Sequence, residues 1–106
     1  MVKLIVLIRP PDVERPGYFQ EYNNFLMKVD HLPGMRRKAV SHVYAGPGGP
    51  ALYHGVVEAY FDTPADMQAA LTSPEGVAAG TALLAFAGQN SITLFAEVQE
   101  ENYPLT

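Results

Sequence analysis

Arg36-Arg-Lys-Ala-Val-Ser-His-Val-Tyr-Ala45 and Leu52-Tyr-His-Gly-Val-Val-Glu-Ala-Tyr-Phe61, joined by Gly46-Pro-Gly-Gly-Pro50, read as the two strands of a β-hairpin. The second strand alternates cleanly. Tyr53, Gly55, Val57, Ala59 and Phe61 form one apolar face, and Leu52, His54, Val56, Glu58 and Tyr60 form a mixed one. The first strand sends Val40, His42 and Tyr44 to one side, expected to share the mixed face. The joining loop lacks the Lys-Ser/Thr ending of a phosphate-binding loop and leads into a strand rather than a helix, so phosphate binding is not expected there.

A helix is expected on each side of this hairpin. Upstream, from Pro16, apolar residues recur at Tyr18, Tyr22, Phe25, Val29 and Leu32, with Phe19 and Leu26 alongside, the spacing of one helical face. Asp12 and Glu14 precede it, favourable at the positive helix end. Pro33-Gly34 stops it. Downstream, Thr63-Pro64-Ala65-Asp66 opens a second helix with a cap, a proline and an acid, and Ser73-Pro74-Glu75 restarts it after a break.

The outermost segments complete the sheet. Val2 to Ile8 is apolar on both sides, as a central strand is; it is too short for a signal sequence and runs into Arg9-Pro10-Pro11. Ser91 to Val98 is a last strand with Ile92, Leu94, Ala96 and Val98 on one face, and the polar tail after Glu100 frays or reaches a neighbour. The order βαββαβ predicts an α+β, ferredoxin-like fold, with a four-stranded antiparallel sheet carrying helices on one face. At 106 residues there is room for one domain, 1–106, and one core. Ile5, Leu7, Val56, Tyr60 and Phe95 are expected on the helix-free face. An apolar patch of that kind marks an interface, and a second copy of the same sheet covers it most simply, so a homodimer is expected.

Composition removes several function classes. The net charge is −4 and the basic residues are scattered apart from Arg36-Arg37-Lys38, which argues against nucleic acid as a partner. There is no cysteine, hence no disulfide, thiolate nucleophile or cysteine-held metal, and a reducing cytoplasm is the expected location. No segment reaches transmembrane length.

His42 and Tyr44, on one strand face, are candidates for a base and a hydrogen-bond donor; the plainer alternative is a satisfied interface histidine. His54 and Glu58 share a face but stand roughly 13 Å apart. A symmetric loop sets His42 opposite His54 on the helix-free face, with Glu58 opposite Lys38 as an ion pair. Two such imidazoles, with at least one held neutral near pH 7 by mutual repulsion, have no third ligand, so no metal site is expected. The stripe Tyr18, Phe19, Tyr22, Phe25 is core, or the lining of an aromatic pocket.

Four segments carry a family resemblance: Val2-Lys3-Leu4-Ile5-Val6-Leu7, Leu32-Pro33-Gly34, Glu58-Ala-Tyr-Phe-Asp62 and Leu71-Thr-Ser-Pro-Glu-Gly76. Over residues 2–98 the chain resembles the EthD-like family, named for ethyl tert-butyl ether degradation, within the dimeric α+β barrel superfamily. The resemblance implies two sheets paired face to face and a ligand cleft in each protomer between sheet and helices. The superfamily includes cofactor-free monooxygenases, polyketide cyclases and lactone isomerases. Similar sequences carry a His nine residues before the Gly of Leu-Pro-Gly, where this chain has Phe25; His31 stands six residues further on. The expected function is thus a cofactor-independent, oxidoreductase-like enzyme or pathway accessory acting on an apolar or aromatic compound. A non-catalytic dimeric binding protein and a haem- or flavin-assisted monooxygenase are the alternatives. The expected catalytic set is His42, Tyr44 and His54, with Phe19, Tyr22, Phe25 and Leu26 lining the pocket.

Overall fold

Alternating burial along Val2–Ile8 (β1) marks the centre of the sheet: Val2, Leu4, Val6 and Ile8 are buried, and Lys3, Ile5 and Leu7 are half-buried. The computed structural model describes residues 1–11 and 13–105; Asp12, expected near the start of the first helix, lies outside them. The other elements are Tyr18–Val29 (α1), Arg37–His42 (β2), Gly55–Phe61 (β3), Pro64–Thr72 (α2), Pro74–Phe86 (α3) and Ser91–Glu97 (β4). The sheet order is β2-β3-β1-β4 with every pair antiparallel. This is the expected ferredoxin-like βαββαβ arrangement.

The helices form for the reasons legible in the chain. Gly17, with φ +79°, admits α1, which buries Tyr18, Tyr22, Phe25 and Val29. Thr63 and Ser73 cap α2 and α3, each accepting a hydrogen bond at 3.1 Å from the backbone N–H three residues on. The core lies between these helices and the face formed by β1 and β3.

The hairpin departs from expectation. Its strands are shorter, ending at His42 and starting at Gly55. Gly46 and Gly49 close a tight turn by two mutual backbone hydrogen bonds, 2.7 and 3.2 Å, but Pro50 to Tyr53 outnumber Tyr44 and Ala45 on the opposite limb. The turn centres between Pro47 and Gly48, and the two extra residues carry the ladder one residue past the symmetric register; a one-residue slip changes every pairing. His42 pairs with Gly55, so Val40 and His42 take the helix side rather than the helix-free side. His54 lies opposite Val43, whose N–H donates to its carbonyl at 2.9 Å, and not opposite His42. Lys38 pairs with Ala59 and bonds Asp30, while Glu58 bonds Lys3 of β1 at 2.5 Å.

Strand β4 also differs in one respect. Phe95 pairs with Leu4 and therefore faces the helix side, where the helices leave it 62 % exposed. The helix-free face instead carries Ile5, Leu7, Val56, Ile92 and Leu94, with the Lys3–Glu58 pair among them. The Tyr60 ring sits on this face with the Arg37 guanidinium 4.0 Å from its centre.

Candidate functional site

Where β3 begins, the chain bends, and strand alternation does not carry back to residue 54. The His54 ring packs against α1, 5.9 Å from the ring centres of both Tyr18 and Tyr22. Its Nε2 lies 2.9 Å from the Tyr18 hydroxyl. Burial, and then the charge of His42, hold the His54 pKa below its ordinary value. Burial raises the Tyr18 phenol, against an opposing pull from Arg15. Both shifts favour the neutral pair, in which the phenol donates and Nε2 accepts; the Nδ1–H tautomer of His54 follows.

Arg15 closes one side. Its guanidinium lies 5.8 Å from the Tyr18 ring centre, and bonds Glu21 at 2.6 Å and the Phe86 carbonyl at 3.0 Å. Tyr18 and His54 line an open hollow of about 510 Å³ floored by the proline-rich segment before α1. A polar wall of this kind, with a neutral imidazole bonded to a phenol, can move a proton to or from a bound molecule.

Behind this pair stands an aromatic wall. Tyr22 stacks on Phe86 at 5.2 Å, and Phe86 touches Phe25 at 5.6 Å. The Tyr22 hydroxyl reaches over Gly55, where a β-carbon would come within 2.3 Å of it. Beyond the wall lies an apolar cavity of about 120 Å³ between sheet and helices, bordered by Phe25, Val29, Val6, Val57, Leu83 and Phe95.

The expected site residues separate accordingly. His54 is at the hollow. His42 is exposed on β2 and influences His54 only through its charge. Tyr44 is almost wholly exposed, in the loop rather than on a strand. Of the four expected pocket residues, Phe25 borders the cavity, Tyr22 forms the wall, and Leu26 packs at the margin of the core. Phe19 is 69 % exposed and turns to the outer hollow, because it sits off the buried stripe. His31 is exposed at the far end of α1. No local sequence pattern marks Tyr18 as the partner of His54, or Arg15 and Phe86 around them. The one available signal was Gly55, since a glycine inside a strand marks close approach of another group.

Among the described residues, no group of three or more His, Asp or Glu side chains is placed to hold a metal ion, and no helix is long and apolar enough to cross a membrane.

Comparison with known proteins agrees with this architecture. The EthD domain matches residues 11–84. An EthD family protein from Bacillus halodurans is 27 % identical, with 93 % of this chain and 99 % of that one covered and a TM-score of 0.86. A dimeric protein of unknown function and ferredoxin-like fold from Bacteroides fragilis is 26 % identical over 92 % and 95 % of the two chains, with a TM-score of 0.69. SnoaB, a cofactor-independent oxygenase from Streptomyces nogalater, shares the fold at 14 % identity over 94 % of each chain, with a TM-score of 0.67. No match is found among the curated proteins. With residues 11–84 matched by the family's domain and the fold shared over nearly the whole chain, this chain belongs to the EthD family.

Proposed function

We propose that this chain is a homodimeric, cytoplasmic small-molecule enzyme that performs acid–base chemistry on a largely apolar compound without a metal or nucleotide. The observation that carries this reading is the 2.9 Å contact between the Tyr18 hydroxyl and His54 Nε2 on the wall of an open hollow. A substrate proton passes to the Tyr18 oxygen as the phenol proton passes to Nε2, so His54 is the base and Tyr18 the conduit. Arg15 favours the anion left behind. Proton removal to give a stabilised anion is a first step open to isomerases, cyclases and cofactor-independent oxygenases alike, and SnoaB has this fold. His42 enters only as a distant charge and Tyr44 has no part in the step.

The test is hydrogen–deuterium exchange. In D2O, a panel of small apolar compounds bearing acidic C–H groups is incubated with the wild-type protein, His54→Gln and Tyr18→Phe, and followed by NMR. Exchange with at least one compound, lost in both variants, supports the proposal; exchange unaffected by His54→Gln refutes it.

A binding protein is the second reading. The cavity of about 120 Å³ favours it, since an apolar protein cavity of about 150 Å³ accepts benzene. Phe25, which cannot transfer a proton, borders that space. Tight binding of apolar compounds with no exchange of any of them would establish this reading instead.

A further inference from the structure

The hydroxyl of Tyr22 is out of place in a core. Tyr22 is 3 % exposed, and among the described residues its oxygen is the one buried side-chain polar atom without a hydrogen-bond partner. A residue serving only to fill this space would be phenylalanine, because a buried donor left unpaired is unfavourable. The chain goes further and has no side chain at position 55, where β3 begins between β1 and β2 and a β-carbon would meet the oxygen. Two departures from core-building rules therefore meet at one atom.

The position of that atom says what it meets. On one side are His54, edge-on to the Tyr22 ring at 5.9 Å between ring centres, and Tyr18, at 6.5 Å. On the other, one step of two residues along each strand, from Gly55 to Val57 and from Ile8 to Val6, reaches the apolar cavity, roughly 7 Å away. The hydroxyl stands between a proton-transfer pair and an apolar space.

We propose that Tyr22 is the polar anchor of the site: its O–H donates to the carbonyl oxygen of a small apolar ketone or aldehyde that enters beside Tyr18 and extends its apolar flank past Phe86 toward Phe25. This rests on the acid–base reading of Tyr18 and His54, and deepens it by naming the substrate class, a carbonyl compound with a C–H on the adjacent carbon. The step balances within the substrate and three side chains. The C–H bond breaks, its proton goes to the Tyr18 oxygen, and the Tyr18 proton goes to Nε2 of His54. The C–H electron pair becomes the C=C bond of an enolate, and the carbonyl π pair moves onto the oxygen held by Tyr22. No electrons leave the substrate, so no oxidant takes part.

Acetophenone labelled with ¹³C at the carbonyl is the probe, and ethylbenzene, without the carbonyl, is the control. With the wild-type protein, binding should move the carbonyl resonance downfield, and the methyl protons should exchange with D2O faster than in buffer. Tyr22→Phe should bind ethylbenzene as before, lose the downfield shift and lose about 10²–10³-fold in exchange, the effect of removing one donor from a developing oxyanion. His54→Gln should keep the shift and lose the exchange. A Tyr22-dependent shift with no exchange by the wild-type protein would uphold the anchor and refute the acid–base reading. Equal shift and exchange in the wild type and Tyr22→Phe would overturn the anchor, as would failure of acetophenone to bind at millimolar concentration. Tyr22→Phe should melt no lower than the wild type; a lower melting temperature would assign the hydroxyl to the fold and overturn the proposal.

Discussion

The Tyr22 oxygen occupies the space that the β-carbon of residue 55 would take, 2.3 Å from the ideal position of that carbon. The two residues are thus mutually dependent, although they lie on different layers of the fold. Gly55→Ala should destabilise the protein by about 1–3 kcal/mol, the range for forcing extra volume into a packed site. Tyr22→Phe in the same chain should recover much of that loss, since the closest remaining ring atom, Cζ, lies 3.2 Å from the added methyl. Denaturant unfolding of the four proteins forms the cycle, and strictly additive losses would show that the two positions do not interact.

His54 makes stability depend on pH in a definite direction. Its folded-state pKa lies below the ordinary value, through burial first and the charge of His42 second. The folded state then binds fewer protons than the unfolded one between the two pKa values. Its contribution is therefore fully present above the unfolded value of about 6.5 and is lost as pH falls through the folded value. NMR titration should place the His54 midpoint below 6.5, and His42→Ala should move it upward. A melting temperature that falls less steeply below pH 6.5 in His54→Gln than in the wild type is the corresponding stability result. A His54 midpoint at or above the ordinary value would contradict this account.

How much of this was legible in the sequence depends on the distance over which each feature is decided. The stripe Tyr18, Tyr22, Phe25, Val29, the cap Thr63 and the helix restart at Ser73 are settled within a few residues, and the structure has them as read. Element order gave the sheet. The register of the hairpin was lost because Pro50 to Tyr53 add length to one limb only, which alternation inside the strands does not reveal. That single-residue offset sets His42 opposite Gly55 and apart from His54. The Tyr18–His54 contact spans 36 residues and arises from a bend beside β3, so no local pattern carries it. Phe95 is a similar case: its face follows from pairing with Leu4, not from its own strand.

The helix-free face bears on assembly. Ile92 and Leu94 are 42 % and 46 % exposed there, beside half-buried Ile5, Leu7 and Val56. Covering this face with a second copy should bury roughly 1,200–2,000 Å², a standard interface. Under two-fold symmetry each substitution is present twice, so Val56→Asp should give a monomer in sedimentation analysis, with a lowered melting temperature. A wild-type protein that sediments as a monomer at micromolar concentration would sink the dimer.

Phe25 separates the binding and catalytic readings. Its ring is buried, 3 % exposed, and borders the cavity of about 120 Å³. Phe25→Ala should cost about 3–5 kcal/mol, from lost burial and from the space left behind. The enlarged cavity should take up an apolar molecule such as toluene, which binds the folded state alone and so raises the melting temperature with concentration. That rise should be larger in Phe25→Ala than in the wild type. Equal rises would mean that toluene binds elsewhere. Phe25→His places an imidazole where the family resemblance implies one, against apolar walls that favour its neutral form. If the Tyr18–His54 pair is the working base, deuterium exchange in Phe25→His should still be abolished by His54→Gln. Exchange that persists in the double variant would show that a base at position 25 is sufficient, and that the wild-type chain, with phenylalanine there, is built to hold its ligand rather than to transform it.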